Sequence, residues 1–181
     1  TSDWTAIGYE DGSRGYTSDR LGKYRKSCAK HGVTPDFSAY QSGRQQGLVE
    51  YCQPSRGFNV GANGGRYNGV CNVNLEADFL EAYRTGHHLY TLRSEVNRAT
   101  AALNAKERKL KDIDELVAKK QVALIADETS KEDRLLILLE LEDLSEESGV
   151  LEAEIRELYE IRARTAMELE QYQLVVADLG Y

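Results

Sequence analysis

From about Asp78 to the last residue, glycine nearly vanishes, proline is absent, and apolar residues recur in steps of three and four. The first run of this seam is Leu89, Leu92, Val96, Ala99, Leu103, Lys106, Leu110, Ile113, Val117, Lys120 and Leu124. The second is Leu141, Leu144, Ser148, Leu151, Ile155, Leu158, Arg162, Thr165, Leu169, Tyr172, Val176 and Leu179. Alternating steps of three and four make a heptad stripe, which commits the chain to long helices paired along it. The polar members weaken the seam locally and keep its register. Between the runs lies "ADETSKEDR". Ser130, followed three residues later by Asp133, predicts a helix start with a capping-box-like partner. A break as short as 127–130 implies antiparallel neighbours. Residues 78–181 are therefore expected to form a long antiparallel coiled-coil hairpin. At 1.5 Å per residue, arms of about 45 to 50 residues give a rod on the order of 70 Å.

Charge supports the pairing. Residues 88–126 hold 8 Lys+Arg against 5 Asp+Glu, and residues 127–181 hold 5 against 16. Opposite signs on the two arms help set partner and orientation. A self-paired hairpin with solvated outer faces accounts for most of this pattern. The run "LLILLELEDL" does not fit it. Leu135, Leu136, Ile137, Leu138 and Leu139 cannot all face one helix, and apolar residues all round a helix imply more than one buried face. These five residues are the expected partner-contact site.

Residues 1–77 have a different composition. All three cysteines, and all but two of the glycines, lie before residue 87. An aromatic-glycine unit recurs three times there and at the start of the long helix. "WTAIGYEDGSRGY" carries Trp4, Gly8, Gly12 and Tyr16. "FSAYQSGRQQGLVEYC" carries Phe37, Tyr40, Gly43, Gly47 and Tyr51. "FLEAYRTGHHLYTL" carries Phe79, Tyr83, Gly86 and Tyr90. An interior glycine costs a helix roughly 0.5–1 kcal/mol relative to alanine. Glycines one turn apart are thus expected to be contact points where a second backbone approaches, as in small-xxx-small helix packing. The fold class expected is mainly α: a small Gly/aromatic-rich head, 1–77, followed by the hairpin, 78–181.

Several functions are disfavoured. A net charge of -7 argues against nucleic acid, which needs concentrated Lys and Arg. No run of 18 apolar residues spans a membrane. "GFNVGANGGRYNGVC" lacks the Gly-x-Gly-x-x-Gly spacing of a phosphate loop. Its Asn63-Gly64 and Asn68-Gly69 pairs instead predict tight turns under the cysteines. Cys28, Cys52 and Cys71 sit in a part too small to hold a large core alone. Disulfides in an oxidising compartment, free buried thiols and a metal site are the alternatives. A metal would need His31, His87 or His88 as a further ligand, and the cysteine spacings match no zinc pattern. No metal or cofactor is therefore expected. No catalytic triad, carboxylate pair or activated cysteine is legible either, so an enzyme is not expected.

"DWTAIGYEDGSRG", "CAKHGVTPD", "AYQSGRQQGLVEYC", "GFNVGANGGRYNGVC" and "AYRTGHHLYTL" together resemble an uncharacterised family of bacterial lipoproteins, the domain of unknown function numbered 2799. The resemblance covers residues 3–92 or so. It implies export and lipid attachment to the periplasmic side of an outer membrane. Members generally carry a lipidated cysteine after a signal peptide, and often another cysteine shortly before the Trp of the first motif. The sequence from Thr1 on has neither, a departure that would leave one of the three cysteines without its partner. The resemblance thus implies that Cys28 pairs upstream and that Cys52 pairs with Cys71. It supplies no catalytic residues.

Two functions compete. The first is a non-enzymatic structural or adaptor component of the Gram-negative envelope, whose hairpin binds other envelope proteins or its own copies in the periplasm. The second is a head that binds, and in an enzymatic version processes, a glycan or peptidoglycan fragment. Asp11, Arg14, Tyr40, Arg44, Arg66 and Tyr67 lie beside glycines and would line its cleft. The plainer alternative is that these carboxylates and arginines pair at the surface while the tyrosines pack.

Overall fold

The computed structural model describes residues 3–181, and the described residues form helices and connections with no strand. The helices are α1 (Trp4–Ser13), α2 (Arg20–Ala29), α3 (Phe37–Tyr51), α4 (Pro54–Ala62), α5 (Val73–Ile125) and α6 (Lys131–Asp178). Side chains begin several of them. Asp3 accepts from the Ala6 amide and Asp36 from the Ala39 amide, satisfying donors that a helix start leaves free. Pro54 begins α4, where its missing N–H costs nothing.

The chain packs as two compact units. One is the chain up to Thr91 together with Gln171–Tyr181, and the other is Leu92–Glu170.

In the second unit α5 and α6 run antiparallel, as the heptad seam predicts. Leu92, Ala99, Leu103 and Ile113 of α5 are buried, as are Leu151 and Ile155 of α6. Lys106 reaches Glu154 at 2.6 Å and Lys109 reaches Glu147 at 2.5 Å, while Lys120 pairs with Glu140. Such exposed pairs contribute about 0–1 kcal/mol each, so they set register more than stability. Two seam residues depart from expectation, Arg162 and Leu179, the latter lying past the end of α6 and 58% exposed. Arg162 is exposed, and its Nε donates to Thr100 Oγ1 at 3.1 Å, because a guanidinium finds no compensation between apolar layers. The turn falls at residues 126–130. Ser130 caps α6 by accepting from the Asp133 amide at 3.0 Å and donating to the Asp133 carboxylate at 2.6 Å.

The first unit corrects one expectation. "PSRGFNVGA" is helix α4, with turns only after it, at Gly64 and Gly69. Its glycines are helical because α5 lies against them, a tertiary reason invisible to local turn chemistry. Cys52 and Cys71 form a disulfide with a Cα–Cα distance of 5.6 Å. Around it, Tyr51, Cys52 and Phe79 form the buried core, packed by Leu48, Val60, Tyr67, Leu75 and Tyr83. Tyr51 and Tyr67 both lie on Phe79, at ring-centre distances of 5.2 and 4.9 Å. Cys28 is a half-buried free thiol.

Candidate functional site

The head is built from one device used twice. In α1 and α3 a methyl group added at Gly8 would meet the Tyr40 carbonyl oxygen at 2.0 Å, and one at Gly12 the Arg44 carbonyl oxygen at 2.2 Å. From the other side, Gly43 faces the Thr5 carbonyl oxygen at 1.9 Å and Gly47 that of Tyr9 at 2.2 Å. Contacts advance together along both chains, so the helices are parallel and touch backbone to backbone. Gly15, with φ of +71°, ends the first strip, and the Tyr51 ring lies over it.

The pair α4 and α5 repeats four of these five contacts, the exception being that of Gly43, where Ala82 stands. Gly57 meets the Phe79 carbonyl, Gly61 that of Tyr83, and Gly86 that of Phe58. Gly64, with φ of +69°, lies under the Tyr90 ring. Gly8, Gly12 and Gly15 thus correspond to Gly57, Gly61 and Gly64, 49 residues on. Tyr40, Gly43, Gly47 and Tyr51 correspond to Phe79, Ala82, Gly86 and Tyr90, 39 residues on. The offset shrinks by ten because the first connection holds α2. Even a polar link recurs. Arg44 donates to the Tyr16 carbonyl through Nε and Nη2 at 3.1 and 2.9 Å, and Tyr83, at the matching position, donates to the Gly65 carbonyl at 3.0 Å.

The two pairs differ in their centres. In the first, Asp11 is 3% exposed. Tyr40 donates to its Oδ2 at 2.8 Å and Tyr24 to its Oδ1 at 3.1 Å, while Arg20 Nε lies 3.1 Å from Oδ1. The Arg20 guanidinium also sits 4.1 Å from the Tyr16 ring centre. Burial, helped by the Asp11 carboxylate, pushes the Tyr40 hydroxyl well above the ordinary tyrosine range. In the second pair the matching residues are Val60 and Phe79, and the centre is apolar.

The expected cleft residues are not brought to one place. Asp11 and Tyr40 are spent on each other inside the head. Arg14 is exposed and pairs with Glu10 at 2.7 Å. Arg66 is exposed. Tyr67 donates to Glu76 at 2.8 Å and accepts from the Cys71 amide at 3.0 Å, and burial pushes its hydroxyl up to about 12. Arg44 lines an open groove. That groove, of about 660 Å³, runs beside the disulfide between Gln41, Arg44 and Gln45 on one side and Asn72 and Asn74 on the other. Arg20 and Tyr24 were missed, although they sit one helical turn apart in "RLGKYR" and so share a face. Among the described residues no three His, Cys, Asp or Glu cluster as metal ligands. His87 and His88 are exposed, and His88 packs edge-on against Tyr172 at 4.5 Å.

At the hairpin turn, Leu135, Leu136, Leu138 and Leu139 are each between 50% and 65% exposed. Ile137 alone of the five is half-buried, on the side of α6 shared with Leu141 and Leu144. Leu135 and Leu139, one turn apart, therefore lie on the opposite side of α6 from the seam. Val122 and Ile125 of α5 are exposed close to the same turn.

Residues 3–88 match the family model DUF2799, a protein of unknown function. This is the family that the five motifs resemble. The match spans both glycine-packed helix pairs, stopping just short of Tyr90. No curated protein and no solved structure matches the chain. Among the described residues no helix is long and apolar enough to cross a membrane.

Proposed function

We propose that this protein is a non-enzymatic structural or adaptor component of the bacterial envelope, held at the periplasmic side of the outer membrane by a lipid anchor, whose hairpin turn associates with another envelope protein or with its own copies. The observation that carries the reading is the exposed leucine face of α6. Leu135 and Leu139 on the side away from the seam, flanked by the exposed Leu136 and Leu138, are not buried in the hairpin, and contiguous exposed apolar surface of this kind marks interaction sites. The Cys52–Cys71 disulfide supports an oxidising compartment. Affinity purification from native envelope with cross-linking tests it, comparing the full chain with a deletion of Asp112–Glu147. Loss of specific cross-linked partners with the head still folded is expected. An unchanged cross-linking profile would sink the idea.

A second reading rests on the groove beside the disulfide. Side-chain amides from Gln41, Gln45, Asn72 and Asn74 can hydrogen-bond hydroxyl and amide groups, and Arg44 adds a cation, which suits a glycan or peptidoglycan fragment. Pulldown of the full chain on peptidoglycan, with Arg44→Ala and Gln45→Ala as controls, separates this from the first reading. Failure to bind leaves the adaptor reading ahead.

A further inference from the structure

The duplication of the head makes a prediction about its surface. On the second helix pair, the end of α6 is seated on a defined face. Phe58 stacks on Tyr181 with ring centres 4.6 Å apart and planes 10° from parallel. The Tyr172 hydroxyl donates to the Thr85 carbonyl at 3.1 Å, and the Tyr172 ring meets His88. The same face exists on the first pair. By the offsets of 49 and 39, Phe58 corresponds to Tyr9, Thr85 to Gln46 and His88 to Val49. All three are exposed, Tyr9 at 37% and Val49 at 54%, and the contact from beyond the pair is a local one, the Gln53 side-chain amide donating to the Val49 carbonyl at 2.8 Å. The backbone beneath is shaped alike, since Gly47 meets the Tyr9 carbonyl as Gly86 meets that of Phe58, at 2.2 and 2.1 Å.

We propose that the Tyr9, Gln46 and Val49 face of the first helix pair receives an α-helix of a partner protein, seated as the end of α6 is seated on the second pair. The chemistry of the partner follows from where the two faces differ. Leu89, buried on the second pair, is replaced by the exposed carboxylate of Glu50 on the first. Glu50 lies within reach of the Tyr9 hydroxyl, which it holds above its ordinary range. The fitting helix therefore presents an aromatic ring over Tyr9, an apolar residue over Val49 and a Lys or Arg toward Glu50. The end of α6 has the aromatic and apolar parts but no cation between Gln171 and Tyr181, and in each copy it already lies on its own second pair. This surface is separate from the hairpin turn.

The test uses the full isotope-labelled chain and two helix-stapled peptides. One copies residues 165–181, and the other carries Glu168→Lys and Glu170→Lys. Backbone amide shifts are followed by NMR. The lysine-bearing peptide is expected to shift Tyr9, Gln46, Val49 and Glu50, and to bind about fivefold more tightly than the unchanged one, the effect of one exposed ion pair. Val49→Asp should abolish these shifts, and Glu50→Gln should remove the difference between peptides. Both changes are on exposed side chains, and an unaltered thermal melt confirms the fold. Absence of shifts at this face with either peptide at millimolar concentration, or shifts that survive Val49→Asp, would overturn the proposal. Equal binding of both peptides would point to a second copy of this chain as the occupant, and would overturn it as well.

Discussion

Gly43 shows at the scale of one residue why the head needs its composition. A methyl group there would sit 1.9 Å from the Thr5 carbonyl oxygen, on backbone that cannot step aside without parting α1 from α3. Gly43→Ala is expected to destabilise the head by about 3 kcal/mol, the upper part of the usual overpacking range. Gly149→Ala, in the middle of α6 with nothing within 4 Å, should instead stabilise by roughly 0.5–1 kcal/mol through helix propensity. Urea unfolding of both variants measures the contrast, and similar effects would contradict backbone packing at Gly43. Asp11 is the other sensitive residue. Asp11→Ala leaves two tyrosine hydroxyls and part of the Arg20 charge without an acceptor, and should cost about 2–3 kcal/mol. The Tyr40 hydroxyl gives a pH signature. Its folded value lies above the ordinary 10.0, so unfolding releases protons once the pH exceeds that value. Stability from this group is complete below pH 10 and is lost as pH rises toward the folded value. Thermal melts should show a decline above pH 10 that becomes shallower in Tyr40→Phe.

At the scale of elements, the disulfide joins the end of α3 to the connection before α5, and so ties the two glycine-packed pairs together. Its partners are 19 residues apart, a loop whose closure contributes about 3 kcal/mol in the chain-entropy view. Reduction should lower the denaturation midpoint of the head accordingly, measured by urea unfolding with and without reductant. The hairpin was legible because a heptad seam is a property of local spacing: eight of its 23 members, Leu103 and Ile155 among them, are buried, and Arg162 and Leu179 are the exposed exceptions. The glycine contacts of α1 and α3 were legible for a similar reason, since four-residue spacing places Gly43 and Gly47 on one face. Helix α4 was not. Gly57, Gly61 and Gly64 repeat the spacing of Gly8, Gly12 and Gly15, but Asn-Gly pairs dominate a local reading, and the opposing helix that makes those glycines tolerable lies some twenty residues away. The cleft was misjudged because adjacency to glycine says nothing of direction. Asp11 and Tyr40 point at each other across the α1·α3 contact.

At the scale of the whole molecule, the head holds a duplicated scaffold whose interior is fully engaged, and the unspent surface lies elsewhere: the α6 leucine face, the groove beside the disulfide and the Tyr9 face. The hairpin needs one apolar stripe and α6 carries two near its start. Exchanging Leu135 and Leu139 for Gln should therefore leave the thermal midpoint within a few degrees of the parent, because neither side chain is buried in the seam. A large fall in the midpoint would mean that these leucines stabilise the hairpin itself. The most direct test of association at the turn is site-specific photo-cross-linking in intact cells of the producing organism, with a benzoylphenylalanine placed at Leu139 and, as a control, at exposed Asp114. A discrete higher-mass adduct from Leu139, absent from Asp114, is predicted; only uncross-linked chain from both positions would contradict a role for the leucine face in binding.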